Sequence, residues 1–248
     1  MLRTTLRFYG DLNDFLFGGF SGPIVQRRLS TPTSVKDLIE GCGVPHTEVD
    51  LILANDKPVD FSYLIEEDQQ ISVYPFFNHI DIPASERLQK PNLHQNRFLA
   101  DTNLGKLARY LRMAGFDTAY IQGQSDEEII SQMLEEKRTL LSRDRKLLMH
   151  KVIEHGYLPR SDDPAEQLQE VCRRFDLFDD VDPFTRCPNC NGVLQSVSKE
   201  EVIDQLEPLT KKYFDDFSQC PDCGQIYWAG SHRQRMDERV KDLLGIGN

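Results

Sequence analysis

Two kinds of residue in this sequence are spaced for chemistry. The first are cysteines. Of six in the chain, four fall into two tight pairs, Cys187/Cys190 in "RCPNCNG" and Cys220/Cys223 in "QCPDCGQ". Each pair is a C-x-x-C knuckle with Pro after the first Cys and Gly soon after the second. That spacing lets two thiolates from one turn reach a single ion while backbone N–H groups of the turn donate to the sulfurs. Two matched knuckles predict one shared zinc ion rather than a redox pair. Four thiolates close a tetrahedron, so the expected site is structural. Its apparent binding energy of ~10–16 kcal/mol is enough to fold a module with little core of its own.

The second kind are aspartates placed where strands end. In "RFLADTNLGKLARYLRMAGFDTAY" (97–120) a short apolar run stops at Asp101 and a helical pattern follows; "TLLSR" stops in the same way at Asp144. Ligands of open parallel sheets bind beyond the carboxyl ends of the strands, so Asp101 and Asp144 are expected on one rim. Asp126 opens the helix that leads into the Asp144 strand, and Asp162 and Asp163 follow "YLPR". Converging carboxylates need a counter-charge, and an all-oxygen donor set favours magnesium or manganese over zinc. The competing reading is that each aspartate is a helix N-cap, a role that stabilises by ~1 kcal/mol. Asp101 and Asp144 read as ligands, because each directly ends an apolar strand and is followed by Lys or Arg. Asp126, in "SDEE", fits both readings. Asp162 and Asp163 read as caps.

The elements that must position these residues follow from periodicity. Residues 1–77 predict a compact β-rich domain. It has strands at "TTLRFYG" and "VQRRLS", and a helix at "TSVKDLIEGCG" with Thr33 or Ser34 as cap and Gly41 or Gly43 as stop. "VDLILANDKPV" is a strand running into a turn, and "QQISVYPFF" a last strand. Residues 78–96 are polar, carry Pro83 and Pro91, and predict a linker. From 97 to 182 strands alternate with helices. The strands are "RFLA", "DTAYI", "RTLLSRD" and "YLPRSDD". The helices are "LGKLARYLRMAG" with Gly115 as terminator, "SDEEIISQMLEEK", "RKLLMHKVIEHG", and "PAEQLQEVCRRF" with Pro164 in its first turn. This alternation predicts a parallel α/β sheet. Residues 183–248 hold the knuckles, with a helix expected at "SKEEVIDQLEPLTKKYF" and a capping box at Ser198 and Glu201. Cys42 and Cys172 stand alone and read as buried apolar residues.

The net charge of −11 argues against a general polyanion binder, yet residues 97–160 hold eleven Lys and Arg against nine Asp and Glu, the one segment with a positive balance. That favours a phosphate-bearing ligand there. No stretch is apolar enough for a signal peptide or a membrane span, so no membrane association and a cytoplasmic location are expected.

Two resemblances sharpen these expectations. The pattern of residues 1–77 resembles the ubiquitin-like β-grasp fold, in particular its sulfur-carrier (ThiS/MoaD-like) branch. Sulfur carriers use a terminal Gly-Gly, whereas here the matching strand ends "YPFFN" and Gly18-Gly19 lies in an early loop. Docking of a protein partner is expected of this domain, and sulfur transfer ranks last. Further on, "FLADTNLGKLARYLRMAGFDT", "SDEEII" and "KRTLLSRDRKLL" resemble the PIN-like ribonuclease family named after the C-terminal domain of the Mut-seven exonuclease. That resemblance implies a metal-dependent ribonuclease acting on RNA. Asp101, Asp126 and Asp144 match its metal-binding acids, and Asp163 is taken as the fourth. One ion would lower the pKa of a bound water and a second, ~4 Å away, would steady the leaving oxygen. Lys106, Arg109, Arg143 and Arg145 are candidate phosphate contacts, although Arg109 and Arg112 read equally as solvated helix residues. In "IYWAGSHRQRM" Tyr227 and Trp228 stack on bases in one reading and fill the small ribbon core in the other. His232, Arg233 and Arg235 are candidate phosphate contacts, with His232 a solvated loop residue in the other reading. The family's "YW-x-GSH-x-x-RM" tail resembles this stretch and implies His232 as an RNA contact. The alternative to a nuclease is a non-catalytic RNA- or ribosome-associated adapter with a degenerate PIN domain. The expected fold class is α/β: a ubiquitin-like domain, a PIN-like parallel sheet and a zinc ribbon.

Overall fold

A computed structural model describes residues 1–18, 22–77, 82, 83, 85–89, 96–120, 122–228, 240–242 and 244. Gly19, much of the predicted linker, and His232, Arg233 and Arg235 lie outside the described residues. In chain order the elements are β1 (Leu2–Phe8), β2 (Ile24–Leu29), β3 (Thr33–Ser34), α1 (Val35–Glu40), β4 (Val49–Ala54), β5 (Lys57–Val59), β6 (Leu64–Ile65) and β7 (Gln69–Pro75). They continue with β8 (Arg97–Ala100), α2 (Gly105–Met113), β9 (Asp117–Tyr120), α3 (Asp126–Glu136), β10 (Thr139–Leu141), α4 (Arg145–Leu148), β11 (Gly156–Tyr157) and α5 (Pro164–Phe175). The last are β12 (Gln195–Val197), α6 (Lys199–Val202), α7 (Pro208–Tyr213), β13 (Phe217–Gln219) and β14 (Ile226–Trp228). No helix among the described residues is long and apolar enough to cross a membrane. The mixed α/β class is as expected: a β-grasp sheet comes first, parallel ladders follow, and a cysteine cluster comes after them.

The β-grasp sheet runs β2-β1-β7-β4-β5, with β1 and β7 parallel at its centre and the other pairs antiparallel. Period-two alternation puts Thr4, Leu6 and Phe8 of β1 and Ile71 and Val73 of β7 inside. Ser34 caps α1, its Oγ accepting the Asp37 N–H at 3.1 Å. The stop is Gly43, at φ +101: a Cβ there would lie 2.5 Å from the Phe15 carbonyl oxygen, so no other residue fits. Residues 87–89, inside the stretch predicted as linker, bond back to β4. The Arg87 guanidinium meets the fully buried Asp50 carboxylate, and the Leu88 N–H donates to the Asp50 carbonyl at 2.7 Å.

Chain contacts divide the molecule into two compact units, residues 1–93 with 126–158, and residues 94–125 with 159–248. In the first, the β-grasp is fastened to the β10–β11 segment through buried polar groups. His46 Nε2 lies 2.8 Å from the Ile153 carbonyl oxygen, and Glu48 Oε1 accepts the Leu158 N–H at 2.8 Å. β10 and β11 pair in parallel, Leu140 opposite Gly156. The helix expected over "RKLLMHKVIEHG" ends after one turn, at Leu148. His46 takes the Ile153 carbonyl and the Ile153 side chain is fully buried, so tertiary contacts override local helical pattern there. The strand expected at "YLPRSDD" is β11, two residues ending at Tyr157; Pro159 has no N–H with which to prolong a ladder.

In the second unit β8 and β9 pair in parallel from Arg97–Asp117 to Ala100–Tyr120. Phe98 is fully buried between Phe116 and Phe175, with centroids 6.3 and 5.6 Å away. Helix α2 buries Leu107, Ala108 and Leu111 as expected and stops at Gly115. With φ +100, and with a hypothetical Cβ 2.2 Å from the Asp182 carbonyl oxygen, that position requires glycine. Cys42 and Cys172 are fully buried, and burial pushes the Cys172 thiol up to about 12. The single helix expected over 198–214 is split into α6 and α7. Glu207 precedes Pro208 and is held extended at ψ 151, which breaks the helix and restarts it. The Ser198–Glu201 capping box is present.

Glu48→Ala would leave the Leu158 N–H without its acceptor inside the first unit. A loss of roughly 1–3 kcal/mol is expected, read as a lowered thermal midpoint together with faster hydrogen exchange at the Leu158 amide. Unchanged exchange at that amide would show that the carboxylate fastens nothing.

Candidate active site and metal centre

Asp144 follows β10 in the sequence Ser142-Arg143-Asp144. Ser142 Oγ accepts the Asp144 N–H at 3.0 Å, and Asp144 Oδ1 in turn accepts the Lys146 and Leu147 N–H groups at 2.8 and 3.3 Å, capping α4. Both cap bonds fall on one oxygen. Oδ2 of this exposed carboxylate takes no hydrogen bond among the described residues. Asp126, in the same unit, is the exposed first residue of α3, followed by Glu127 and Glu128, as the positive end of a helix dipole favours. Arg143 is exposed. Arg145 is half-buried, and its guanidinium donates to the Phe15 carbonyl at 2.7 Å and lies over the Phe15 ring, fastening α4 to the β-grasp.

The other two acids lie in the second unit. Asp101 ends β8, caps the short 3-10 turn Thr102–Leu104 and accepts the Thr102 N–H. That turn is held by Tyr120, whose hydroxyl donates to the Thr102 carbonyl at 2.8 Å. Gly105 makes room for the ring, since a Cβ there would come 2.9 Å from it. Asp163 repeats the Asp144 device. Ser161 Oγ accepts its N–H at 3.0 Å, and its Oδ1 accepts the Ala165 and Glu166 N–H groups at 2.7 and 3.2 Å. The shared Ser-x-Asp spacing, "SRD" and "SDD", is the signal in the sequence that the periodicity reading passed over. Lys106 and Arg109 are exposed on α2.

Arg112, one turn beyond Arg109, is not a solvated helix residue. It is buried, and its guanidinium donates to the carbonyls of Thr118, Pro188 and Asn189 at 2.8, 3.4 and 2.9 Å. It thereby ties the first cysteine knuckle to α2 and β9. Asn191 makes the second tie. Its side-chain nitrogen donates to Asp117 Oδ1 at 2.7 Å, and its oxygen accepts the Thr118 N–H at 2.9 Å. Arg97 and Arg186 meet the other Asp117 oxygen at 3.3 and 3.5 Å.

The four knuckle sulfurs all lie within 4.8 Å of one another. Among the described residues they are the one set of three or more metal-type donors drawn together so closely. Cys187 and Cys223 Sγ are 3.7 Å apart, Cys190 and Cys220 Sγ 3.3 Å, near the edge of about 3.8 Å that a tetrahedron with metal–sulfur bonds of ~2.3 Å requires. The residues therefore fit zinc. The knuckles share one geometry. Cys187 and Cys220 carbonyls accept the N–H groups of Asn191 and Gly224 at 2.9 Å, and those two residues sit at φ 73 and 74. The left-handed residue of the first knuckle is thus Asn191. Gly192 serves a different need, because a Cβ there would lie 2.7 Å from Cys220 Sγ. The Gln225 N–H draws the Cys223 thiol down to about 7. Tyr227 adds a sulfur contact that the sequence reading missed, its hydroxyl 3.1 Å from Cys187 Sγ. Behind the cluster Val202, Leu206, Phe217 and Ile226 form a small core, with Phe214 and Trp228 packed against it.

A family model for the Mut7-C RNAse domain matches residues 96–240, and one for the Mut7-C ubiquitin domain matches residues 1–81. No curated protein and no solved structure gives a significant match. The strand-end aspartates, the Arg112 clasp and the paired knuckles all lie within the first matched stretch, which spans more than half of the 248 residues, and the chain belongs to the Mut7-C RNAse domain family.

Proposed function

We propose that this protein is a metal-dependent ribonuclease that hydrolyses RNA phosphodiester bonds, with Asp101, Asp126, Asp144 and Asp163 as the acids that hold magnesium or manganese. The observation that carries this reading is the Asp144 carboxylate: one oxygen is fixed by two backbone N–H groups and the other is left for a ligand. Asp163 is built in the same way. A carboxylate set of this kind suits a hard divalent ion, which would supply an activated water and charge neutralisation at the leaving oxygen. The chain's own part is to orient the acids through their caps and to place Lys106, Arg109 and Arg143 toward phosphates. The thiolates hold one structural zinc ion, and the ribbon around it aids RNA binding. The β-grasp domain offers a protein partner a surface, and the cytoplasm is the expected location. A non-catalytic RNA adapter is the second reading, favoured by the net charge of −11.

Asparagine caps helices about as well as aspartate, so Asp144→Asn should keep the fold while removing the anionic ligand. Manganese-dependent cleavage of a labelled RNA is expected to fall by more than the roughly 10–100-fold typical of losing an outer-shell partner, with the thermal midpoint nearly unchanged. Wild-type cleavage by both Asp101→Asn and Asp144→Asn would remove the acids from the site, and RNA binding without cleavage in the wild type would favour the adapter.

Elemental analysis should find one zinc per chain. Removing it with a strong chelator is expected to expose the core behind the cluster, shifting Trp228 emission to the red. Cys220→Ser should reproduce that shift without chelator. An unshifted spectrum after complete zinc loss would mean that the ribbon folds without its ion.

A further inference from the structure

Beside the four-cysteine cluster lies an open cavity of about 390 Å³, bounded by Arg109 of α2, Phe184, the knuckle residues Pro188 and Asn189, and Gln225 and Trp228 near the second knuckle. Tyr227 contributes to the wall, its hydroxyl turned to Cys187 Sγ. The volume is at the small end of the ~300–1,000 Å³ usual for ligand clefts, a size for one nucleotide unit rather than an extended ligand. Its walls combine aromatic and proline surface with two side-chain amides, each able to donate and accept. The cation at its rim is unengaged: Arg109 makes no hydrogen bond, ion pair or ring contact among the described residues, in contrast to Arg112 one turn away. Phe184, which lines the cavity, is held at φ 69, a left-handed conformation that is costly for a bulky residue.

We propose that this cavity binds one unpaired nucleobase of single-stranded RNA, with an adjoining phosphate on Arg109. The inference rests on the ribonuclease reading and adds to it a requirement for unpaired RNA. A base stacked within a duplex cannot enter a cavity of this size. Aromatic surface binds any unpaired base through its π-face, whereas a cationic rim alone would bind duplex and single strand alike. The Asn189 side-chain amide can both donate to and accept from a base edge. The Gln225 amide keeps its oxygen and one N–H beyond the bond it donates to the Ile226 carbonyl at 3.3 Å, and Arg112 keeps the Pro188–Asn189 wall in place by holding both carbonyls.

The chain carries a single tryptophan, and it lines this cavity, so its emission reports occupancy. The test uses the full zinc-loaded chain with Asp144→Asn, which keeps RNA intact, titrated with a short single-stranded oligoribonucleotide and with the same sequence as a blunt duplex. Saturable quenching by the single strand is expected, with the duplex binding at least about tenfold more weakly. Phe184→Ala should weaken binding at least about fivefold, the low end of one base–aromatic stack. Arg109→Ala should weaken it and lower its salt dependence by about one phosphate contact. Arg109 is exposed on its helix, so this second variant carries the test if Phe184→Ala loses zinc or fold. The proposal is overturned by equal quenching with duplex, by equal quenching with an acidic peptide, by RNA retention on a filter with no change in emission, or by full affinity in Arg109→Ala. Metal-dependent cleavage by the wild-type chain, measured alongside, separates the two readings. Cleavage without base binding removes the cavity alone, and base binding without cleavage removes the nuclease.

Discussion

A carboxylate that caps a helix with one oxygen has been positioned by the backbone and still has an oxygen left. Asp144 and Asp163 are both in this state, each held between a serine hydroxyl that accepts its own N–H and the two N–H groups that its Oδ1 accepts. Cap and ligand look like rival explanations of such residues only while the carboxylate is treated as a single acceptor. Each oxygen has its own lone pairs, and the turn occupies those of only one. The cap also removes the rotational freedom that a free aspartate side chain would lose on binding an ion, a form of preorganisation. The chemistry proposed for this protein depends on that division of labour.

The elements carrying the acids are held by long-range polar ties. Arg145 sits next to Asp144 and reaches back to the Phe15 carbonyl, so the helix that Asp144 caps is anchored to the β-grasp. His46 and Glu48 fix the same segment at its far end. Within this unit the ubiquitin-like domain is therefore part of the support of a proposed catalytic residue. Buried polar ties of this kind are costly to leave half-made, which favours one arrangement over its near neighbours.

Local rules predicted what is local. The knuckles, the Ser34 and Asp163 caps, the capping box at Ser198 and the strand ending at Ala100 all follow from residues within a few positions of one another, whereas the strand expected over "RTLLSRD" stops at Leu141, three residues before Asp144. The misreadings lie where a partner is distant in sequence. Helix α4 is short because the Ile153 carbonyl is taken by a histidine 107 residues earlier. Arg112 looks like any exposed helix cation until the knuckle 76 to 77 residues later closes over it. Arg145, whose position in the sequence shows only a cation beside Asp144, also ties α4 to the Phe15 carbonyl 130 residues away. A cation's periodic position says which face it is on, and only the fold says whether another element covers that face.

The split between Arg109 and Arg112 bears directly on how the zinc ribbon could serve a nuclease. The two lie on one helix three residues apart, and the difference between them is created by the first knuckle, which receives Arg112 through its Pro188 and Asn189 carbonyls. Those same two residues form a wall of the cavity that Arg109 borders. Four thiolates around one ion would hold the two knuckles, and with them Asn189 and Gln225, at a fixed separation. Without that constraint the ribbon has only its small core behind the cluster to keep Trp228 in place. An ion held there would fix the separation of the cavity walls, and so the shape of the surface that an RNA strand would meet.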